Sequence, residues 1–133
     1  MKLEHLGIAV KNLDSAVSLY EQLLNTPCYK TERVDHEGVN TAFFLTGDSK
    51  VELLQATNED SPIAKFVNNK GEGIHHVAFE VENIEAEMKR LAALGFNVLN
   101  AAPHKGADNK LVCFIHPKTT NGVLVELCQE IKG

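Results

Sequence analysis

The sequence predicts an α+β fold in which two tandem βαβββ modules form one curved, mostly antiparallel, eight-stranded sheet. Self-similarity is the first observation behind this. HLGIAVKNLDSAVSLYEQLLN from His5 aligns without gaps on HVAFEVENIEAEMKRLAALGF from His76, an offset of 71, with identities at His5/His76, Val10/Val81, Asn12/Asn83 and Leu23/Leu94. The second is that both copies read as a strand, an Asn-containing turn and an amphipathic helix. The third is that KVELL at 50–54 and LVELC at 124–128 share Val-Glu-Leu in alternating, strand-like stretches.

Taken in order, EHLGIAV opens the chain as a strand. Leu13, Val17, Tyr20 and Leu24 then follow the spacing of one helix face. A strand is expected near 28–34, and VNTAFFLTG reads as another that turns at Gly47-Asp48 into KVELL. Residues 58–73 read as a connector, in which Ser61-Pro62 opens a short helix and the stretch Lys70 to Gly73 ends it. The second half repeats the plan. GIHHVAFEV is its first strand; Ile84, Met88 and Leu91 mark its helix face; Gly95 stops that helix. A strand is expected near 96–100, KLVCFI follows as the next, and LVELC is the last. The modules thus span about 1–57 and 74–133 of a single domain, 1–133.

Composition removes several function classes. The 133 residues carry 13 Lys and Arg against 18 Asp and Glu, a net charge of −5, with no basic block, which argues against a nucleic-acid partner. MKLEHLGIAV runs straight into strand pattern, and no apolar stretch has the length of a signal peptide or membrane span. The expectation is a soluble, cytoplasmic protein. Cys28, Cys113 and Cys128 are odd in number and form no CxxC pair, so they read as reduced core thiols.

The candidate chemistry comes from the doubling. Each half offers a His at the start of its first strand and a Glu on its last, His5 with Glu52 and His76 with Glu126, separated by 47 and 50 positions. A lone strand His or Glu is ordinarily a structural or solvent-facing residue, the reading given to His36, His75 and His104. Recurrence at matched positions of both halves is what singles out the four. Two imidazoles and two carboxylates suit one divalent ion such as Zn, Co, Ni, Mn or Fe. Neighbouring strand residues point to opposite faces, so His76, the repeat partner of His5, is expected to face this site and His75 to face away.

In EHLGIAV, DSPIAKF, GEGIHHVAFEV and HPKTTNGVLVEL the chain resembles the methylmalonyl-CoA epimerases of the vicinal oxygen chelate superfamily. The resemblance implies metal ligation by His5, Glu52, His76 and Glu126. It also implies proton abstraction and return at C2 of a coenzyme A thioester through a metal-stabilised enediolate, and a homodimer. Some epimerases carry Gln where Glu52 stands, and one bacterial form has a proposed second base where this chain has Thr41. Glu126 is the first choice for catalytic base and Glu52 the second. Lys118, with Lys105 and Lys110, is a candidate for the phosphates of coenzyme A. Glyoxalase I shares the ligand set, although its last turn usually reads Asp-Pro-Asp-Gly where this chain has His116-Pro117-Lys118. A metal-free ligand-binding protein of the same fold is the alternative from another class.

Overall fold

The computed structural model describes residues 1–132. It contains, in chain order, β1 (Lys2–Ala9), α1 (Leu13–Leu24), β2 (Lys30–Val34), β3 (Val39–Thr46), β4 (Ser49–Ala56), α2 (Pro62–Lys70), β5 (Gly73–Glu80), α3 (Ile84–Ala93), β6 (His104–Lys105), β7 (Lys110–Ile115) and β8 (Val125–Glu130). Two compact units divide the chain: His5–His75, and Met1–Glu4 together with the residues from His76 onward. No helix among the described residues is long and apolar enough to cross a membrane.

In the unit His5–His75 the strand order is β2-β3-β4-β1. β2–β3 and β3–β4 are antiparallel hairpin pairs, whereas β1 and β4 are parallel, with Gly7 opposite Glu52. A parallel pair needs a crossover, and α1 lies within it. Leu13, Val17, Tyr20 and Leu24 of α1 pack on Val10, Ala42, Phe44 and Leu53, so these strand residues define the helix-covered face of the sheet. Alternation then turns Thr41, Phe43, Glu52 and Leu54 to the other face. Ser61 caps α2, accepting from the Ile63 N–H at 3.2 Å, with Pro62 in the first turn, as its sequence predicts.

The other unit repeats the scheme in the order β5-β8-β7-β6. β5 and β8 are parallel with Ala78 opposite Glu126, and β8, β7 and β6 follow in antiparallel succession. Ile84, Met88 and Leu91 of α3 bury against Val81, Cys113, Ile115 and Leu127. Ala78, Val112 and Cys128 form a smaller apolar cluster, with Phe114 packed on it. α3 ends at Ala93 with Leu94 as its C-cap, and Gly95 takes φ +97°, a left-handed conformation that favours glycine.

The identities of the repeat now have physical reasons. Asn12 and Asn83 are the two helix N-caps, their side chains accepting from Ser15 N–H and Ala86 N–H at 3.0 Å each. Val10 and Val81 close each core, donating their N–H to Leu54 and Cys128 carbonyls at 2.9 Å. One match escapes a reading limited to Val-Glu-Leu. Gln55 accepts from Leu13 N–H at 2.5 Å and Gln129 from Ile84 N–H at 2.8 Å, each tying a final strand to its helix N-terminus.

The strand expected near 96–100 is not formed. That stretch makes one bridge, Val98 to Ile115, and the pairing strand is the two-residue β6 at His104–Lys105. The Asn100 side chain accepts the Phe114 N–H at 2.8 Å, where a strand would offer a main-chain carbonyl. Pro103 follows and has no N–H to extend a ladder. Lys110 begins β7, the strand expected of KLVCFI, and is buried with its Nζ 4.0 Å from Glu80, which does not suit it to the coenzyme A phosphate contact expected of it.

Candidate functional site

Within the first unit, β1 and β4 bring His5 and Glu52 together. Gly7, two residues beyond His5 on β1, lies directly opposite Glu52, so only hydrogen projects from that position. The His5 ring reaches diagonally to the carboxylate, with Nδ1 3.0 Å from Oε2, and both residues are buried at 4% and 3% exposure. Phe43 of β3 faces Glu52 from the other side and is fully buried.

The second unit builds the same arrangement from the same register. His76 precedes Ala78 on β5, Ala78 lies opposite Glu126 on β8, and Phe114 of β7 flanks Glu126. His76 Nε2 lies 3.4 Å from Glu126 Oε1 with both side chains buried, and the Phe114 ring meets the His76 ring edge-on, centroids 6.1 Å apart. The shared module is therefore larger than the sequence reading held: a His, a small residue two positions on, a Glu opposite it and a Phe flanking the Glu. Phe43 and Phe114 are 71 positions apart, the spacing of the two histidines, a signal that was available in the sequence.

A buried carboxylate requires a cationic or hydrogen-bonding partner, because removing its charge from water costs several kcal/mol. In each pair the imidazole is that partner. Imidazole nitrogens and carboxylate oxygens without thiolate form a donor set that fits a divalent ion of the Zn, Co, Ni, Mn or Fe type.

The neighbouring residues sort as follows. His75 packs edge-on against Phe66 at 5.0 Å, and burial, reinforced by the nearby Lys70 charge, lowers its pKa to about 4, so it is neutral at physiological pH. His116 accepts the Lys118 N–H on Nδ1 at 2.9 Å and caps the short turn Pro117–Thr119, where the Lys118 side chain stands exposed. The His104 ring lies 6.3 Å from that of Phe114. The three cysteines are free; burial pushes the Cys113 thiol up to about 11 and raises Cys128 further, the latter with help from Glu126 and Glu4. Neither of these two thiols ionises at neutral pH. Burial of Glu37 raises its carboxyl pKa, an effect that His36 opposes and Glu52 and Glu32 reinforce. Glu4, buried at 5%, has no counterpart in the sequence reading, since nothing in MKLEHL distinguishes it from an exposed strand Glu.

Comparison with known proteins matches residues 4–114 to a family described as the Glyoxalase/Bleomycin resistance protein/Dioxygenase superfamily. The chain is 41% identical over 130 residues to the Ethylmalonyl-CoA/methylmalonyl-CoA epimerase of Cereibacter sphaeroides, covering 96% of this chain and 97% of that one. It is 39% identical over 128 residues to the uncharacterized protein YqjC of Bacillus subtilis, covering 96% and 91%. Among solved structures, a variant of Streptomyces coelicolor methylmalonyl-CoA epimerase in complex with 2-nitronate-propionyl-CoA superposes with a TM-score of 0.93 at 33% identity, covering 99% of each chain.

Proposed function

We propose, from the premise that this chain belongs to the Glyoxalase/Bleomycin resistance protein/Dioxygenase superfamily, that it is an epimerase interconverting (2R)- and (2S)-methylmalonyl-CoA. The observation that carries the reading is the buried imidazole–carboxylate pair built twice from one register, His5 with Glu52 and His76 with Glu126. Similarity to the Cereibacter enzyme along nearly its whole length supports the substrate class, as does similarity to a Streptomyces epimerase solved with a propionyl-CoA analogue.

In this reading His5, Glu52, His76 and Glu126 together hold one divalent ion. When bound, that ion supplies Lewis-acid stabilisation of the negative charge developing on the thioester oxygen as the C2 proton leaves. The protein supplies the rest. Glu126, as the carboxylate, takes the C2 proton on one face, and Glu52, protonated by exchange with solvent, gives its proton on the other; the reverse reaction swaps the two roles and exchange with solvent resets both. Phe43 and Phe114 flank the two carboxylates and limit water beside them. Lys118, exposed on its turn, pairs with a phosphate of coenzyme A. The reading places the enzyme in the cytoplasm as a homodimer.

Glu52, where some epimerases have Gln, keeps glyoxalase I as the rival. The test is a paired assay of the metal-loaded protein with methylmalonyl-CoA and with the hemithioacetal of methylglyoxal and glutathione. Epimerisation of the thioester without lactoylglutathione formation is expected. The opposite pattern overturns the assignment, and activity with neither substrate leaves the binding-protein alternative.

A further inference from the structure

Thr41 is fully buried, and its Oγ1 is a buried side-chain atom with no hydrogen-bond partner among the described residues. Burying a hydroxyl without a partner is unfavourable, so such an atom in a well-packed sheet calls for a reason. Its place in the sheet supplies one. Thr41 pairs with Leu54, and two residues along the same antiparallel ladder Phe43 pairs with Glu52. Thr41 and Glu52 are therefore diagonal neighbours on the face away from α1, a separation that a Glu side chain spans.

We propose that Thr41 is a positioning residue for Glu52: its hydroxyl, unpartnered among the described residues, donates in the metal-loaded protein to the carboxylate oxygen that does not bind the metal. This rests on the proposal that Glu52 is a metal ligand. Glu52 Oε2 lies 3.0 Å from His5 Nδ1. A carboxylate that gives one oxygen to a cation in a dry setting needs a donor on the other, and ligating carboxylates are in general held by such hydrogen bonds. Glu32, directly across from Thr41 on β2, is a poorer acceptor for this hydroxyl, because its partly exposed carboxylate lies 3.6 Å from the Lys30 ammonium. Thr41 also suits the site sterically, as a β-branched residue with few rotamers whose hydroxyl is therefore aimed at little entropic loss.

The test titrates Co²⁺ calorimetrically into the chelator-treated parent protein and into Thr41→Val and Thr41→Ser. Valine keeps the branched shape and removes the donor; serine keeps the donor and removes a methyl group. The expected result is one Co²⁺ per chain for parent and Thr41→Ser with similar affinity, and about ten-fold or greater weakening for Thr41→Val. The melting temperature of Thr41→Val without added metal should be equal to or above that of the parent, which separates the effect from a failure to fold. Parent-like Co²⁺ affinity in Thr41→Val overturns the inference, as does equal weakening in Thr41→Ser. A parent that binds no Co²⁺ overturns the metal-site proposal itself, a distinct outcome.

Discussion

Replacing Glu126 by Gln removes a charge while leaving its volume in place between Ala78 and Phe114. The pair it breaks is close, with Glu126 Oε1 3.4 Å from His76 Nε2. For two full charges at that separation the attraction is about 5 kcal/mol at an effective dielectric constant near 20. Desolvating both groups offsets most of this, and the Gln amide oxygen still accepts from the imidazole. The net change in folding stability is therefore expected within about 2 kcal/mol. Catalysis should respond on another scale, because loss of a positioned general base lowers rates by about 10²–10⁴-fold. Deuterium incorporation at C2 of methylmalonyl-CoA in D₂O, followed by NMR, measures the second quantity; thermal melting measures the first. A Glu126→Gln protein that melts near the parent and exchanges C2 at the parental rate would refute Glu126 as the base. If it no longer folds, the pair would instead prove essential to the second unit.

Three further substitutions probe the scaffold. Ile84→Ala, at the first residue of α3 and 1% exposed, should destabilise by about 2–5 kcal/mol through the cavity it leaves, lowering the melting temperature by roughly 10 °C or more. Asn83→Ala removes the cap that accepts the Ala86 N–H at 3.0 Å and should lower stability by about 1 kcal/mol in a denaturant titration; no change would mean that the Gln129 contact alone holds the helix start. Glu37→Gln tests the raised carboxyl pKa, whose main cause is burial. A carboxyl with a raised folded-state pKa favours the fold below its unfolded pKa and opposes it as pH rises through the folded value. Glu37→Gln should therefore raise the melting temperature at pH 7–8 and not at pH 4, and an equal gain at both would contradict the burial argument.

Much of the fold was readable because the signals are local. Helix faces, the Asn-containing turns, Gly95 and the Ser61-Pro62 start depend on neighbours within a few residues, and the structure has each of them. What failed to show depends on distant partners. The region 96–100 has strand-like composition, but the Asn100 side chain substitutes for main chain against Phe114, and Pro103 limits further pairing. Lys110 reads as a candidate for a coenzyme A phosphate, but β7 buries it near Glu80. Gln55 and Gln129 look like polar strand ends, although each serves a helix 42 or 45 positions earlier. At the candidate site, the residue types and the His-to-Glu pairing within each half were legible from the repeat. The flanking Phe43 and Phe114 are equally periodic, yet aromatic residues in strands are so commonly core that their spacing alone does not mark a site. Thr41 carries no sequence signal for its unpartnered hydroxyl, because that property arises only from three-dimensional packing.

X-ray absorption at the zinc edge of the Zn²⁺-loaded protein tests the central proposal, that both pairs serve one ion, most directly. The account predicts one zinc per chain in a shell of nitrogen and oxygen at about 2.0–2.2 Å, with outer-shell scattering from two imidazoles and no sulfur. Loss of one imidazole is expected in His5→Ala and, separately, in His76→Ala. A sulfur shell near ~2.3 Å, scattering from a single imidazole in the parent, or two zinc ions per chain would contradict it.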